Sequence, residues 1–320
     1  MDEEFSQVTL DSLNERLFRL EKEMTELRQF LCVQMPYGEQ PADRPITLSG
    51  QVDISRSEVS AAAYWEVTCF GRFHHRCAGR DLVPCRSRRG QSILKYLLSR
   101  PGYAASTEQM IECFWPHLDS VAGAHNLQVA VHTLRRSLQG CGPDGSNETV
   151  LFCDDHYLLN PALSIMQDVD AFRDAYERGQ CATKAGRSIE AIQAFEQART
   201  RYRGDYLTDP YEEWASSSRL ALQDMQLTLL NQLGTFYSQS GKWELAASCY
   251  RQILAVDCYR EDVSRQLMRC YAACGRTADV KQTYRACQEC LRRDLRLAPA
   301  SQTSRLYQDL IQQLTSLDID

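Results

Sequence analysis

A chain of 320 residues, 43% hydrophobic and 24% charged, has room for two globular cores and an appendage, and its composition excludes a disordered or fibrous chain. No apolar run approaches the roughly 20 residues of a membrane helix, and the N-terminus is acidic rather than a signal peptide, so a cytoplasmic, membrane-free protein is expected. The 14 cysteines do not follow the spacing of a secreted disulfide scaffold, and most are expected reduced and packed as small hydrophobes; the net charge of −6 disfavours nucleic acid only if charge is spread evenly.

In chain order, Leu10, Leu13, Leu17, Leu20, Met24, Leu27 and Leu31 alternate spacings of three and four, an a/d heptad seam flanked by charges. Residues 1–35 therefore read as an amphipathic helix, with Leu13, Leu17, Leu20, Met24, Leu27 and Leu31 as the dimerisation seam of a homodimer. An amphipathic helix packed on its own protein is the alternative, which three heptads do not exclude. Pro36, Gly38, Pro41 and Pro45 make residues 36–62 a linker.

A folded domain over 63–162 opens with a strand at Trp65–Phe70. A hairpin follows, from Phe73–Cys77 and Asp81–Cys85 around Ala78-Gly79-Arg80, in which His74 and His75 are expected at the exposed turn rather than on a metal. Helices are expected over Ser87–Arg100, with Ile93, Leu94, Leu97 and Leu98 inward, and over Glu108–Phe114, capped by Thr107. The third helix, residues 124–139, carries Leu127, Val131, Leu134 and Leu138 as one apolar stripe. Its other face presents His125, Gln128, Val129, His132, Arg135 and Arg136 without a carboxylate. Arginine suits guanine, glutamine adenine, and valine a thymine methyl in a major groove; a solvated basic face is the bland alternative. A Gly-rich loop then leads to a second hairpin, Thr149–Cys153 with Tyr157–Leu159, the wing. From Arg72 to Arg136 ten basic residues face four acids, so the charge is local.

Beyond 163 the chain repeats. Gly241 and Gly275 are 34 apart, as are Tyr250 and Tyr284, the tetratricopeptide period, and each Gly precedes its aromatic by nine residues, as Gly186 does Phe195. Helix pairs of this type stack into a solenoid. Tyr202, Tyr206, Tyr211 and Trp214 read as inter-repeat core. The Cys270, Cys274, Cys287 and Cys290 cluster approximates a zinc spacing, but the repeat register explains most of it, and neither metal nor cofactor is expected. Walker, GxGxxG, GxSxG and HExxH motifs are lacking, so the chain is not expected to be an enzyme.

Cys69-Phe70-Gly71-Arg72-Phe73, Arg88-Arg89-Gly90-Gln91-Ser92-Ile93-Leu94-Lys95-Tyr96-Leu97-Leu98 and Leu134-Arg135-Arg136-Ser137-Leu138 closely resemble the OmpR-like winged helix of the antibiotic-regulatory (SARP-type) activators. Asp168-Val169-Asp170-Ala171-Phe172, Tyr202-Arg203-Gly204-Asp205-Tyr206-Leu207, Glu213-Trp214 and Leu297–Thr303 resemble the bacterial transcriptional activator domain that accompanies it. The resemblance spans about 64–316; the heptad helix lies outside the usual pattern, and His156-Tyr157 stands in the wing where the family has Gly-Tyr. The resemblance implies a mainly α protein: a winged helix-turn-helix with small sheets (63–162), then a TPR-like activator domain (163–320). It further implies double-stranded promoter DNA bound as direct repeats, contact with RNA polymerase and the third helix in the major groove. Arg86, Arg88 and Arg89, three arginines in four residues at the start of the first helix, are expected to contact phosphate, with a solvated charge run as the alternative, and the wing's His156 is expected to touch DNA. A protein-interaction scaffold, and a regulator gated by a small-molecule effector on the repeat surface, are the alternatives.

Overall fold

The computed structural model describes residues 64–82, 85–209 and 212–317, so the heptad seam and the 36–62 segment lie outside the described residues. The described residues open with β1 (Tyr64–Thr68), whose alternating Trp65 and Val67 point inward, and run into the hairpin β2 (His74–Cys77) and β3 (Arg80–Asp81). Ala78 and Gly79 turn this hairpin with both residues at positive φ, the two-residue geometry whose twist matches its strands. The three-helix core follows as α1 (Arg88–Leu98), β4 (Ala104–Ser106), α2 (Thr107–Phe114) and α3 (Ser120–Ser137), then the hairpin β5 (Val150–Cys153) and β6 (His156–Leu159). The last strand, β7 (Ser164–Gln167), returns to the first sheet, whose order is β3-β2-β1-β7, with β7 parallel to β1. The wing sheet has order β4-β6-β5.

Two boundaries differ from expectation for local reasons. The cap of α2 is Ser106, not Thr107: its Oγ accepts from the Gln109 amide at 3.2 Å and the Gln109 side chain reciprocates, a capping box. Helix α3 starts at Ser120, four residues early, because the Asp119 carboxylate caps the Ala122 amide at 2.8 Å.

The second half is all helical: α4 (Asp168–Lys184), α5 (Ser188–Arg201), α6 (Ser216–Gln239), α7 (Trp243–Val256), α8 (Glu261–Ala273), α9 (Thr277–Cys290), one π turn (Leu291–Leu295) and α10 (Ser301–Leu317). The 34-residue register has a mechanical origin. Gly241 and Gly275 both sit at φ +69° just past a helix, where the next amide (Lys242, Arg276) bonds back to Tyr237 O and Tyr271 O, the helix stop that needs a left-handed residue. Seven residues earlier, Gly234 lets the Tyr250 ring of α7 lie against the α6 backbone: an added Cβ would come within 2.6 Å of it. In the next repeat Met268 occupies that position, and the Tyr284 ring stacks instead on Tyr307 of α10, with centroids 4.2 Å apart.

All these elements belong to one compact unit, and the two halves are joined through polar and aromatic contacts. Both oxygens of Asp168, at the start of α4, accept the amides of Cys69 and Phe70 at 2.8 and 3.1 Å. Phe70 packs against Phe172, Tyr202 and Tyr206. Trp214 meets Tyr96 edge-on at 5.1 Å. Tyr202, Tyr206 and Trp214 thus bind the winged helix to the repeats rather than one repeat to the next; Tyr211 lies outside the described residues.

Beneath these contacts is a buried charge cluster. The Lys95 ammonium on α1 and the Glu212 carboxylate before α6, both almost fully buried, lie 3.1 Å apart. Glu212 also accepts from Ser92 Oγ at 2.9 Å and Trp214 Nε1 at 2.7 Å, and Lys95 donates to Asp209 as well. Lys95, part of the basic count in the sequence, is therefore a joint between halves. His75 also departs from expectation: His74 is exposed, but His75 is buried beside Trp65 and Phe73. Burial, and then the neighbouring His74, lowers its imidazole to about 4, so it is neutral in the fold. Among the described cysteines, Cys270 and Cys287 pack as hydrophobes and Cys274 is exposed, while Cys290 bonds to Cys258.

Candidate nucleic-acid interface

Helix α3 is seated before any ligand arrives. Leu127, Val131, Leu134 and Leu138 are at most 1% exposed, facing a core shared with Ile93 and Leu97 of α1 and Met110 of α2. Gly123 lets α2 approach closely, since a Cβ there would fall 2.5 Å from Ile111. Burying four aliphatic side chains contributes roughly 1.5–3 kcal/mol each, so the register of the opposite face is fixed.

That face presents His125, Gln128, Val129, His132 and Arg136, all exposed, with no carboxylate among them. Arg135 is different. It is half-buried, and its Nε donates to the Val150 carbonyl of β5 at 2.9 Å, tying helix to wing. The wing turns through Asp154 and Asp155, both at positive φ, in a tight two-residue turn. The Asp155 carbonyl accepts from the Thr107 amide and hydroxyl at 2.9 and 3.1 Å, pinning the tip to the start of α2. His156, where the family has Gly, is exposed, and its Nδ1 lies 2.8 Å from the Asp154 carbonyl. Phe152 is also exposed, with its ring 4.7 Å from Tyr157.

Arg86, Arg88 and Arg89 are exposed at the start of α1, which Ser87 caps by accepting the Gly90 amide at 3.1 Å. Arg89 lies over the rings of Phe114 and Trp115, 6.0 and 5.7 Å from their centroids, which orients its guanidinium toward the α2–α3 corner. Of the ten basic residues counted from Arg72 to Arg136, Lys95 is buried and Arg76 is paired with Asp81 at 3.0 Å and Glu66 at 3.4 Å. Arg100 covers the Tyr96 ring at 4.2 Å. The external basic surface is narrower than the sequence suggests: Arg86, Arg88 and Arg89 at the α1 start and Arg136 on α3 are exposed, as are Arg72, between β1 and β2, and Arg80 on β3. What the sequence missed is the role of Lys95 and Glu212; the only local signal was a lysine inside the apolar run Ile93–Leu98.

Fold and surface define the class: a winged-helix half joined through a buried charge cluster to a helical-repeat half, the build of a transcriptional regulator. Residues 167–311 match the bacterial transcriptional activator domain. The transcriptional regulatory protein MoaR1 of Mycobacterium tuberculosis is 23% identical over 240 residues, covering 74% of this chain and 76% of its own; MoaR1 of Mycobacterium bovis matches to the same extent. The solved structure of Mycobacterium tuberculosis EmbR, in complex with a low-affinity phosphopeptide, superposes with a TM-score of 0.61 at 21% identity. That superposition covers 78% of this chain but 65% of EmbR, so this chain spans just under two thirds of that protein. Among the described residues no helix is long and apolar enough to cross a membrane.

Proposed function

We propose that this protein binds double-stranded promoter DNA sequence-specifically and activates transcription without catalysing a reaction. His125, Gln128, Val129, His132 and Arg136 read base edges in the major groove. Arg86, Arg88 and Arg89 contact phosphate near the α1 start, His156 contacts the backbone from the wing, and Arg135 reaches DNA only as far as its bond to Val150 allows. The activator domain (163–320) contacts RNA polymerase in the cytoplasm. The seam Leu13, Leu17, Leu20, Met24, Leu27 and Leu31 holds a homodimer, with the 36–62 linker letting both winged helices (63–162) take direct repeats. The observation that carries this reading is the carboxylate-free exposed face of a helix whose inner face is wholly buried. Clustered cations draw phosphate whatever the net charge.

The test is selection from a randomised duplex pool at two salt concentrations. A motif in two same-direction copies is expected, with affinity falling steeply in salt, about −0.9 in log–log slope per phosphate neutralised. Retention without a motif would refute base reading, and no retention at low salt would refute DNA binding altogether.

A further inference from the structure

The Cys258–Cys290 bond lies outside everything the DNA-binding reading uses. Cys258 sits in the short connector between α7 and α8 and is half-exposed; Cys290 is the last residue of α9 and is buried. The α8–α9 contact is apolar in its own right: Val263, Leu267 and Met268 of α8 and Val280 and Cys287 of α9 are buried. What the bond fastens is the connector to the π turn that leads toward α10. The Tyr259 hydroxyl donates to Asp294 in that turn at 2.9 Å, and Arg293 grips the same carboxylate at 2.8 and 2.9 Å. The Asp294 carboxylate lies within 4.8 Å of both sulfurs. Cys258 is also one wall of a cavity of about 470 Å³ between α7, α8 and α9, lined among others by Arg251, Tyr271, Arg276 and Cys287.

From this geometry we infer that Cys258 and Cys290 form a reversible two-electron redox centre that fastens and frees the wall of the repeat groove, reacting with hydroperoxides and with thiol reductants. This rests on the regulator reading in one respect: a protein at work on DNA sits among reduced thiols, where disulfides are usually transient and sensory. The chemistry balances. The half-exposed Cys258 thiolate attacks the distal oxygen of hydrogen peroxide, the O–O bond breaks, hydroxide leaves and takes a proton to become water, and a sulfenic acid remains. The Cys290 sulfur then attacks Cys258 Sγ, the S–O bond breaks, its thiol proton leaves with the hydroxyl as a second water, and the S–S bond forms. Two sulfurs lose two electrons and the peroxide gains them. A dithiol reverses the state by exchange, attacking the accessible Cys258 sulfur and releasing Cys290 as the thiol.

The test uses the full chain and no DNA, so its failure is separable from failure of the DNA reading. The protein is equilibrated in glutathione buffers of graded ratio, quenched in acid, alkylated, and its cysteine peptides are weighed. Cys258 and Cys290 are expected to change together in one transition while buried Cys249, Cys270 and Cys287 do not, and hydrogen peroxide restores the bond. In parallel, tryptic cutting at Arg260 and Arg293 is expected to rise about tenfold on reduction, since the tether no longer holds the connector closed. Cys258→Ser, at the half-exposed position, should cut at the fast rate whatever the buffer. A bond that survives excess dithiothreitol in the native protein, cysteines that titrate separately, or cutting equally slow in both states each overturns the inference.

Discussion

The joint between the halves makes a sharp prediction. Lys95→Met keeps the length of the side chain and removes its ammonium, leaving the Glu212 carboxylate, 1% exposed, with only the Ser92 hydroxyl and the Trp214 indole N–H as partners. Removing one member of a buried ion pair costs about 3–5 kcal/mol, because the remaining charge stays desolvated. The two surviving hydrogen bonds to a charged acceptor retain part of that, which places the expected loss near 3 kcal/mol. Changing Glu212→Gln in the same chain removes the stranded charge; the amide oxygen still accepts from Trp214 Nε1, and the NH2 can donate to the Ser92 hydroxyl. The double variant should therefore lose only about 1 kcal/mol, roughly 2 kcal/mol less than Lys95→Met alone, so the two single losses are not additive. Equilibrium urea unfolding of the four proteins measures the cycle, and repeating it in high salt adds a control: a surface pair would weaken, a buried one changes little. A Lys95→Met loss under about 1 kcal/mol, or additive single losses, would show that the pair does not join the halves as described.

Three further outcomes are expected. Arg136→Ala should cost about 1–3 kcal/mol of binding at a single base position, measured by competition against single-base operator variants; an even loss over all sequences would move Arg136 to the phosphates. Because the fold lowers the His75 imidazole to about 4, the folded protein holds it neutral while the unfolded chain takes a proton near 6.5. Its contribution to stability is complete above that pH and is lost as the pH falls from about 6.5 to 4, on the order of 3 kcal/mol in all. Urea midpoints across that window should flatten in His75→Gln, and equal slopes in both proteins would contradict the assignment. Finally, Gly234→Ala drives a methyl against the Tyr250 ring and should destabilise by about 1–3 kcal/mol. Gly241→Ala, in open space, should cost only about 1 kcal/mol for its left-handed backbone, and calorimetry that ranks the two in reverse would refute the packing argument.

What could be read from the sequence was what repeats locally. The stripe Leu127, Val131, Leu134 and Leu138 and the 34-residue spacing of Gly241 and Gly275 are imposed by helix geometry within a few turns, and residues alone reveal them. The first turn of α3 was missed because Ser120 and Val121 add nothing to that stripe; the cap at Asp119 was the available signal. Lys95 and Glu212 are 117 positions apart, and no local pattern connects them. Cys258 carries no pattern for a related reason: it lies in a connector that the helical register does not constrain, whereas Cys270, Cys274 and Cys287 follow the register and share no bond with Cys290. The aromatic cluster was recognised as core, but the side it serves was not, because Phe70 and Tyr202 meet only once the chain has returned on itself.

The parallel pairing of β1 with β7 sets the order in which this protein can be made. Tyr64 pairs with Ser164 and Val67 with Gln167, and the amides of Cys69 and Phe70 wait for Asp168. On the ribosome β1 has, among the described residues, the β2 hairpin as its one sheet neighbour until about a hundred further residues have emerged, and the closure of so long a loop slows folding. The winged helix is thus completed by the first residues of the domain that follows it. A fragment cut at the apparent boundary near 162 would leave β1 as an exposed sheet edge, prone to pair with other chains; fragments intended to fold should run through at least the start of α4.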